Sequence, residues 1–316
     1  MKRAGILLIV LALSACHDVR RADSTPHHAA GAATSWQGVF DNHEQVWRAR
    51  ESAAGATPPH VVVEIEPTSQ ADWTIWHVRL EANPAIESTW ALRSVTQAGG
   101  TLALTPYHAL ATTPAPATAF DAQQWTALDA CTLRGTGGAN APLNVNADTA
   151  ACAAIAPGIG AGAALLPLGI EREGEWLHIR LYADQARGAD AREDAREVHW
   201  FGGWAAINGG GPKADASSSD WHMNRSLRIG SEGGRVELRW RDGSAAGYSL
   251  ALERLTYREG NVPVMKLSVV EDANGHTLAY SWANPEATAI GINLGWVQVG
   301  LSRDAALAVP PPGAAK

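Results

Sequence analysis

Two stretches of the sequence place an aromatic ring, a histidine and an arginine at alternate positions. Because alternate side chains of a β-strand share a face, each stretch would present these groups together. Such a face could hold a planar acid, with rings for its body and cations for its carboxylates. The alternative is that the tryptophans fill the core while the arginine and histidine stems reach water. The two sets are Trp73, Ile75, His77 and Arg79, and Trp176, His178, Arg180 and Tyr182.

A third predicted strand adds a tryptophan and an arginine to these groups. The candidate ligand-binding residues are therefore Trp90, Arg93, Trp176, His178 and Arg180. No catalytic residue follows from these positions. The sequence contains no HExxH, no CxxC and no nucleophile-elbow motif. It therefore predicts neither a metal site nor common hydrolase chemistry.

The elements that would position these residues are mostly strands. Short apolar or alternating runs are separated by turn-forming stretches, and such regular spacing predicts an antiparallel sandwich or barrel. Apolar residues at helical spacing between Trp36 and Trp47 predict one helix before the strands, with Ser35 as its cap. A second short helix is predicted near residues 123–128. The predicted strands cover residues 60–66, 73–81, 89–96, 101–105, 164–171, 175–183 and 196–202.

The composition changes at residues 209–220, GGGPKADASSSD, which are typical of a linker or long loop. More strands follow, with Asp242-Gly243 and Asn274-Gly275 as tight-turn dipeptides. We place a boundary near residue 212, which gives a barrel over 35–211 and a C-terminal β region over 212–301. The alternative is that the later strands complete one larger sheet. The Pro-rich residues 302–316 are predicted to be a disordered tail.

The first 15 residues have the features of an export signal. Lys2 and Arg3 form a basic start, and an apolar run over residues 4–13 ends in small residues. The run is too short for a permanent span, which requires roughly 20 apolar residues. The ending Leu13-Ser14-Ala15-Cys16 is similar to the lipobox of bacterial lipoproteins, which implies cleavage before Cys16 and lipidation of its thiol. An ordinary secretory signal with an incidental cysteine is the alternative.

The predicted mature protein is tethered and acidic. By the same resemblance, His17 after the cysteine implies the outer membrane, with the protein facing the periplasm. Residues 16–34 are small, polar and aperiodic, as in a flexible tether. The net charge of −7 becomes −9 when Lys2 and Arg3 are removed. Such a chain repels phosphate backbones, so we expect no nucleic-acid partner and membrane contact through the lipid alone.

Removing Cys16 leaves two cysteines, Cys131 and Cys152. An even pair in an oxidising compartment favours a disulfide. Two reduced thiols in the core are the alternative.

Three local features occur in order within residues 36–211. Residues 38–45, GVFDNHEQ, carry a Gly-x-Phe-(Asp/Ser)-Asn-x-x-Gln pattern through Phe40, Asn42 and Gln45. The strand segment Trp90-Ala91-Leu92-Arg93 and the cysteine pair follow it. Together they resemble the T-type phycobiliprotein chromophore lyases, the CpcT/CpeT family. The resemblance implies a lipocalin-like β-barrel, a bilin-like tetrapyrrole as bound ligand, and an acceptor protein whose cysteine receives it.

The sequence also departs from that family. Ala91 stands where the family has the first arginine of a pair, and Arg79-Leu80 falls near the family's Glu-Gln pair. The lyases are cytoplasmic, and residues 212–301 have no counterpart in them. Fold therefore transfers better than activity, since chemistry depends on sites.

Two functions remain open from the sequence. The first is a chromophore-lyase-like barrel lipoprotein that binds a tetrapyrrole or similar planar apolar acid inside the barrel. The second is a non-catalytic envelope lipoprotein, either a carrier of apolar ligands or a structural protein that contacts a partner through its Trp-rich surface.

Overall fold

The computed structural model describes residues 36–52, 56–97, 99–110, 115–138, 141–215, 217–257 and 262–303. The predicted export signal, Cys16 and the tether lie outside these ranges. Within them the chain is mostly β, with a closed barrel followed by further antiparallel sheets. The predicted all-β class is therefore confirmed. No helix in the described ranges is long and apolar enough to span a bilayer.

The barrel consists of ten antiparallel strands. They follow one another in the order β4-β3-β2-β1-β11-β10-β9-β8-β7-β5, and β5 pairs with β4 to close the ring. The short strand β6 pairs with β5 outside it. The strands are β1 (Gly38–Asp41), β2 (Val61–Pro67), β3 (Trp73–Leu80), β4 (Asn83–Thr96), β5 (Leu102–Ala109), β6 (Trp125–Ala127), β7 (Leu133–Gly138), β8 (Ala141–Asn146), β9 (Pro167–Glu173), β10 (Trp176–Leu181) and β11 (Glu193–Glu197).

The interior of the barrel holds a continuous hydrophobic cluster. Phe40, Trp76 and Trp90 are among its largest members, and each is at most 2% exposed. Alternate residues of β10, such as Leu177 and Ile179, join the same cluster. Because side chains alternate across a strand, the polar partners on β10 lie on the outer face. The interior of the barrel is therefore occupied by the barrel's own side chains.

Two further segments cover parts of the barrel. Short helix α2 (Thr149–Ala153) carries Cys152, which forms the predicted disulfide with Cys131 across 21 residues. The second segment lies between β5 and β6 on the outer wall. Its Phe120 packs against Trp73 of β3, with ring centroids 5.0 Å apart, and Trp73 packs against Tyr107 of β5 at 4.6 Å. These aromatic rings form a second, smaller core outside β3–β5.

Two predicted helices differ from the structure. Residues 38–41 form β1, which pairs with β2 and β11, and helix α1 begins later, at His43, and ends at Ser52. The apolar spacing from Trp36 to Trp47 is thus shared between a strand and a helix, because pairing on both sides outweighs local periodicity. Residues 122–124 form one 3-10 turn, and residues 125–127 of the second predicted helix form β6.

The C-terminal region is a β-sandwich of two four-stranded antiparallel sheets. One has the order β13-β12-β19-β18 and the other β14-β15-β16-β17. Buried side chains from both sheets form one hydrophobic cluster between them. The strands are β12 (Trp200–Asn208), β13 (Trp221–Gly230), β14 (Glu232–Arg239), β15 (Ala245–Thr256), β16 (Pro263–Glu271), β17 (Thr277–Ala283), β18 (Ala289–Asn293) and β19 (Val297–Arg303).

The sandwich begins earlier and ends later than predicted. The predicted strand over 196–202 divides into the end of β11, in the barrel, and the start of β12, which pairs with β13 and β19. The sheets therefore change at Val198-His199 and not near residue 212, since β12 supplies Phe201 and Ile207 to the sandwich core. At the other end, residues 302 and 303 of the predicted tail belong to β19.

Buried ion pairs join the barrel to the sandwich. The Glu232 carboxylate accepts hydrogen bonds from Arg254 Nε at 2.5 Å and from Arg196 Nη2 at 2.8 Å. Arg196 also pairs with Glu44 of α1 at 2.9 Å, and Arg254 with Glu175 of the β9–β10 turn at 2.9 Å. The side chains of Glu232 and Arg254 are at most 1% exposed. Charges buried this deeply require partners, so this junction fixes the two parts against each other.

Replacing Arg254 with methionine is expected to lower the free energy of unfolding by about 3–5 kcal/mol, because the Glu232 charge stays buried with one partner fewer. The double variant Arg254→Met with Glu232→Gln should recover much of that loss. As a control, Arg235→Met breaks an exposed pair with Asp272 and should cost about 1 kcal/mol or less. Denaturant unfolding measures all three variants. Equal losses for the Arg254 and Arg235 variants would contradict this account.

Candidate functional site

The structure separates the five candidate ligand-binding residues. Trp90 lies inside the barrel, where it is 2% exposed and donates its indole N–H to the Leu165 carbonyl at 3.1 Å. It is a core residue with a satisfied polar atom. Arg93 lies on the outer wall, where it donates to Asp72 at 3.1 Å and sits 5.7 Å from the Trp73 ring centroid. Neither of these two residues therefore belongs to the site.

The other three candidates stand together on the outer face of β10. The rings of Trp176 and His178 are nearly parallel, at 6° and 6.3 Å between centroids. His178 Nδ1 lies 2.5 Å from Asp194 Oδ1, which holds the imidazole in place. Arg180 follows on the same face, two residues further along the strand. The row therefore offers two flat rings and then a cation.

Arg180 and His178 line a groove of about 470 Å³ on this wall. Strands β8, β9 and β10 form its floor, and the link between β10 and β11 forms its side. The lining residues are Asn144, Asn146, Gly169, Ile170, Glu171, His178, Arg180 and residues 189–192. Most of the lining is polar and has hydrogen-bonding capacity, so the groove suits a small polar or acidic group.

Of the two arginines that line the groove, Arg180 and Arg192, Arg180 has no carboxylate partner among the described residues. It donates to Asn146 Oδ1 at 3.3 Å and to the Leu168 carbonyl at 3.4 Å, both long contacts to neutral oxygens. Its Nε is buried and has no hydrogen-bond partner among the residues that the structure describes. A guanidinium prefers bidentate contact with a carboxylate. The groove therefore has an unmet preference for an acidic group at Arg180.

The carboxylates that line the groove do not neutralise Arg180. Glu171 pairs with Arg192 at 3.5 Å, and Asp194 beside the groove pairs with Arg192 and His178. Asp190 is exposed, so water screens its charge. Gly169 also matters, because a Cβ there would come within 2.7 Å of Asn146 Oδ1 and 3.5 Å of Arg180 Nε. The absence of a side chain at Gly169 leaves room for the guanidinium.

The motif residues that resemble the lyase family have structural roles here. Asn42 is fully buried, donates to Glu193 Oε2 at 2.7 Å and to the Pro59 carbonyl at 2.8 Å, and accepts from the Val61 amide at 2.7 Å. Gln45 bonds to the backbone of Arg192 and Asp194 on the other side. Phe40 belongs to the barrel core. Asn42 and Gln45 thus attach the start of α1 to the barrel.

A buried acid cluster near α1 was missed from the sequence. Glu193 contacts Asn42 and Arg187, and Asp184 pairs with the same Arg187 at 2.9 Å. Burial, followed by the nearby Asp184 charge, raises the pKa of Glu193 to about 7. Burial also raises the pKa of Asp184. No sequence signal marks this pair, because its members are charged residues in segments that are otherwise typical of the surface.

Glu175, His199 and Glu286 form a second cluster that the sequence did not predict. Their ligand atoms lie within 4.8 Å of one another, which is close enough for a metal ion. However, Arg254 Nη1 lies 3.2 Å from His199 Nδ1, and a guanidinium can only donate. The proton of the neutral imidazole is therefore on Nε2, where it is donated to Glu175 at 2.8 Å. Burial, followed by Arg254, lowers the pKa of His199 to about 4, in agreement with a neutral ring.

This arrangement disfavours a metal ion. Binding at Nε2 would require the proton to move to Nδ1, where it would face the N–H of Arg254. The cation would also lie beside the positive charge of Arg254, which is 3.9 Å from Glu286. The cluster is therefore part of the junction between barrel and sandwich.

No model of a known protein family, no curated protein and no solved structure matches this chain.

The variant Glu193→Gln tests the buried acid cluster through pH. A carboxyl whose pKa rises from 4.5 to about 7 on folding contributes stability below pH 4.5 that is lost as the pH rises through 7. Glutamine does not ionise, and its single amide oxygen keeps one of the two hydrogen bonds that Asn42 and Arg187 donate to Glu193, so the gain is smaller than the full pKa shift implies. The variant should therefore be more stable than the wild type at pH 8, by about 2 kcal/mol, and no more stable at pH 4. Urea unfolding at both pH values measures this difference.

The exposed Glu173→Gln provides the matched control, and it should leave the pH profile of the wild type unchanged. If Glu193→Gln and Glu173→Gln gave the same pH profile, burial of the Glu193 charge would not be the cause.

Proposed function

We propose that this protein is a non-catalytic envelope lipoprotein that holds a flat, carboxylate-bearing molecule against the outer wall of its barrel. The single observation that carries the proposal is Arg180, a guanidinium with a buried, unpartnered Nε and no carboxylate partner among the described residues, in a groove of about 470 Å³. A ligand carboxylate placed there would pair with the guanidinium, whose Nη2 contacts only neutral oxygens at 3.3 and 3.4 Å among the described residues.

The neighbouring rings define the rest of the ligand. Trp176 and His178 are nearly parallel and precede Arg180 on one strand face. A conjugated acid could therefore lie along the strand, with its carboxylate at Arg180 and its flat body over the two rings. The resemblance to the T-type lyases points to a linear tetrapyrrole, whose propionates and conjugated plane have this chemistry. The export signal and Cys16 support a location at the outer membrane, facing the periplasm.

A carrier fits better than a lyase. The packed barrel interior, with Trp76 and Trp90 at most 2% exposed, favours a ligand held on the surface over one enclosed for reaction. The sequence also lacks one arginine and the acidic group of the family pattern. Binding on an open wall permits release, which a carrier requires.

Titration of the full-length protein in mild detergent with biliverdin tests the proposal. Saturable changes in pigment absorbance and quenching of tryptophan fluorescence are expected, since Trp176 adjoins the groove. Arg180→Met should weaken binding about tenfold or more, because a charged hydrogen bond is lost. Arg93→Met is the matched control, since Arg93 pairs with Asp72 elsewhere on the wall, and it should bind like the wild type.

The dimethyl ester of biliverdin separates charge from shape. The wild type should bind the ester about as weakly as Arg180→Met binds the free acid. Failure of the wild type to bind biliverdin, or equal binding of acid and ester, would overturn the proposal. Pigment that stays covalently attached to the protein after denaturation would contradict the non-catalytic role.

A further inference from the structure

A row of aromatic rings crosses the outer face of one sandwich sheet. Tyr280 and Trp282 lie on the edge strand β17 and are 57% and 55% exposed. Their ring centroids are 5.3 Å apart. Tyr257, which follows β15, lies 5.7 Å from Trp282, and Trp47 of α1 lies 5.4 Å from Tyr257. The row, from Trp47 to Tyr280, therefore runs from α1 to the outer face of the sheet. Large aromatic side chains left this exposed commonly mark a binding surface.

Polar groups lie among these rings. Lys266 Nζ lies 5.9 and 5.8 Å from the ring centroids of Tyr257 and Tyr280, and donates to the Tyr257 hydroxyl at 3.2 Å. Ser268 stands directly opposite Tyr280 in the pairing of β16 with β17. It is 2% exposed, and its hydroxyl has no hydrogen-bond partner in the described part of the chain. Its oxygen is covered by the neighbouring side chains, so Lys266 is the polar group of the row that a ligand can reach.

The chemistry of the row favours one class of ligand. An anionic polymer is disfavoured by the net charge of −7, and the ammonium of Lys266 already has Glu253 at 3.9 Å. A purely apolar partner would cover the Lys266 ammonium, whose three donors have the Tyr257 hydroxyl as their one hydrogen-bond acceptor among the described residues, without offering it a further acceptor. A neutral sugar satisfies both requirements, because the C–H face of its ring stacks on aromatic rings while its hydroxyls exchange hydrogen bonds at the edge.

We propose that the aromatic row from Trp47 to Tyr280 binds a neutral glycan chain, with successive sugar rings stacked on successive side chains. The centroid separations of 5.3–5.7 Å place the aromatic rings closely enough to serve one continuous chain. This site is separate from the groove at Arg180, so it stands or falls independently of the proposed carrier function.

Isothermal titration of the full-length protein in mild detergent tests this proposal. The probes are tetramers of β-1,4-linked N-acetylglucosamine and of β-1,4-linked glucose. Saturable binding of at least one tetramer is expected. Trp282→Ala should weaken it about tenfold or more, and Tyr280→Ala should also weaken it. Both side chains are more than half exposed, so the fold should survive these changes, and circular dichroism verifies it.

Two variants act as controls. Trp204→Ala removes a tryptophan of similar exposure, 41%, from the other sheet of the sandwich and should bind the glycan like the wild type. Arg180→Met should do the same. The proposal is overturned if neither tetramer binds, or if Trp282→Ala and Trp204→Ala bind equally well. Capture of an envelope protein that depends on Trp282, without glycan binding, would overturn it in favour of a protein partner.

Discussion

The ion pairs at the junction of barrel and sandwich are the constraint on which the arrangement of the molecule depends. Glu232 is buried between Arg254 and Arg196, and these arginines reach on to Glu175 and Glu44. A buried carboxylate is tolerated only where its partners are correctly placed. The barrel can therefore meet the sandwich in few orientations. Because Glu44 belongs to α1, the same contacts bring that helix to the end of β15, and with it Trp47 to Tyr257.

The packing of the barrel interior is the reason why the proposed ligand site lies on the outer wall. Phe40, Trp76 and Trp90 belong to one buried hydrophobic cluster in that interior. The polar and aromatic side chains that alternate with the core residues face outward instead. On β10 this alternation produces a row of ring, ring and cation that no core residue interrupts. The proposed ligand site is thus a consequence of the two-residue period of the strand.

The sequence predicted the framework well, because alternation and turn residues are local signals. Strands β2 to β5, β9 and β10 and the shared face of Trp176, His178 and Arg180 follow from such signals, and the disulfide between Cys131 and Cys152 follows from the cysteine count. Strands β6, β7 and β8 were not predicted, since they are short or rich in glycine and small polar residues. What local patterns cannot state is which face of a strand becomes the interior. Trp90 and Arg93 differ by three positions and therefore lie on opposite faces of β4. The sequence alone did not show that the Trp90 face is the interior and the Arg93 face the outer wall.

The remaining differences come from contacts that are distant in sequence. The assignment of residues 200–208 to the sandwich depends on pairing with β19, roughly a hundred residues later. The cluster of Glu193 with Asn42 joins positions 151 residues apart. The aromatic row from Trp47 to Tyr280 likewise draws on three segments that only the fold brings together. Such groupings are set by tertiary packing and leave no periodic trace.

We infer that this barrel is filled by its own core and that the proposed ligand site lies on the outer wall of β10. A crystal structure of the full-length protein with biliverdin bound would locate the pigment. Pigment density is expected along Trp176 and His178, with a propionate at Arg180. Pigment inside the barrel, with Trp76 and Trp90 displaced from their present positions, would contradict it.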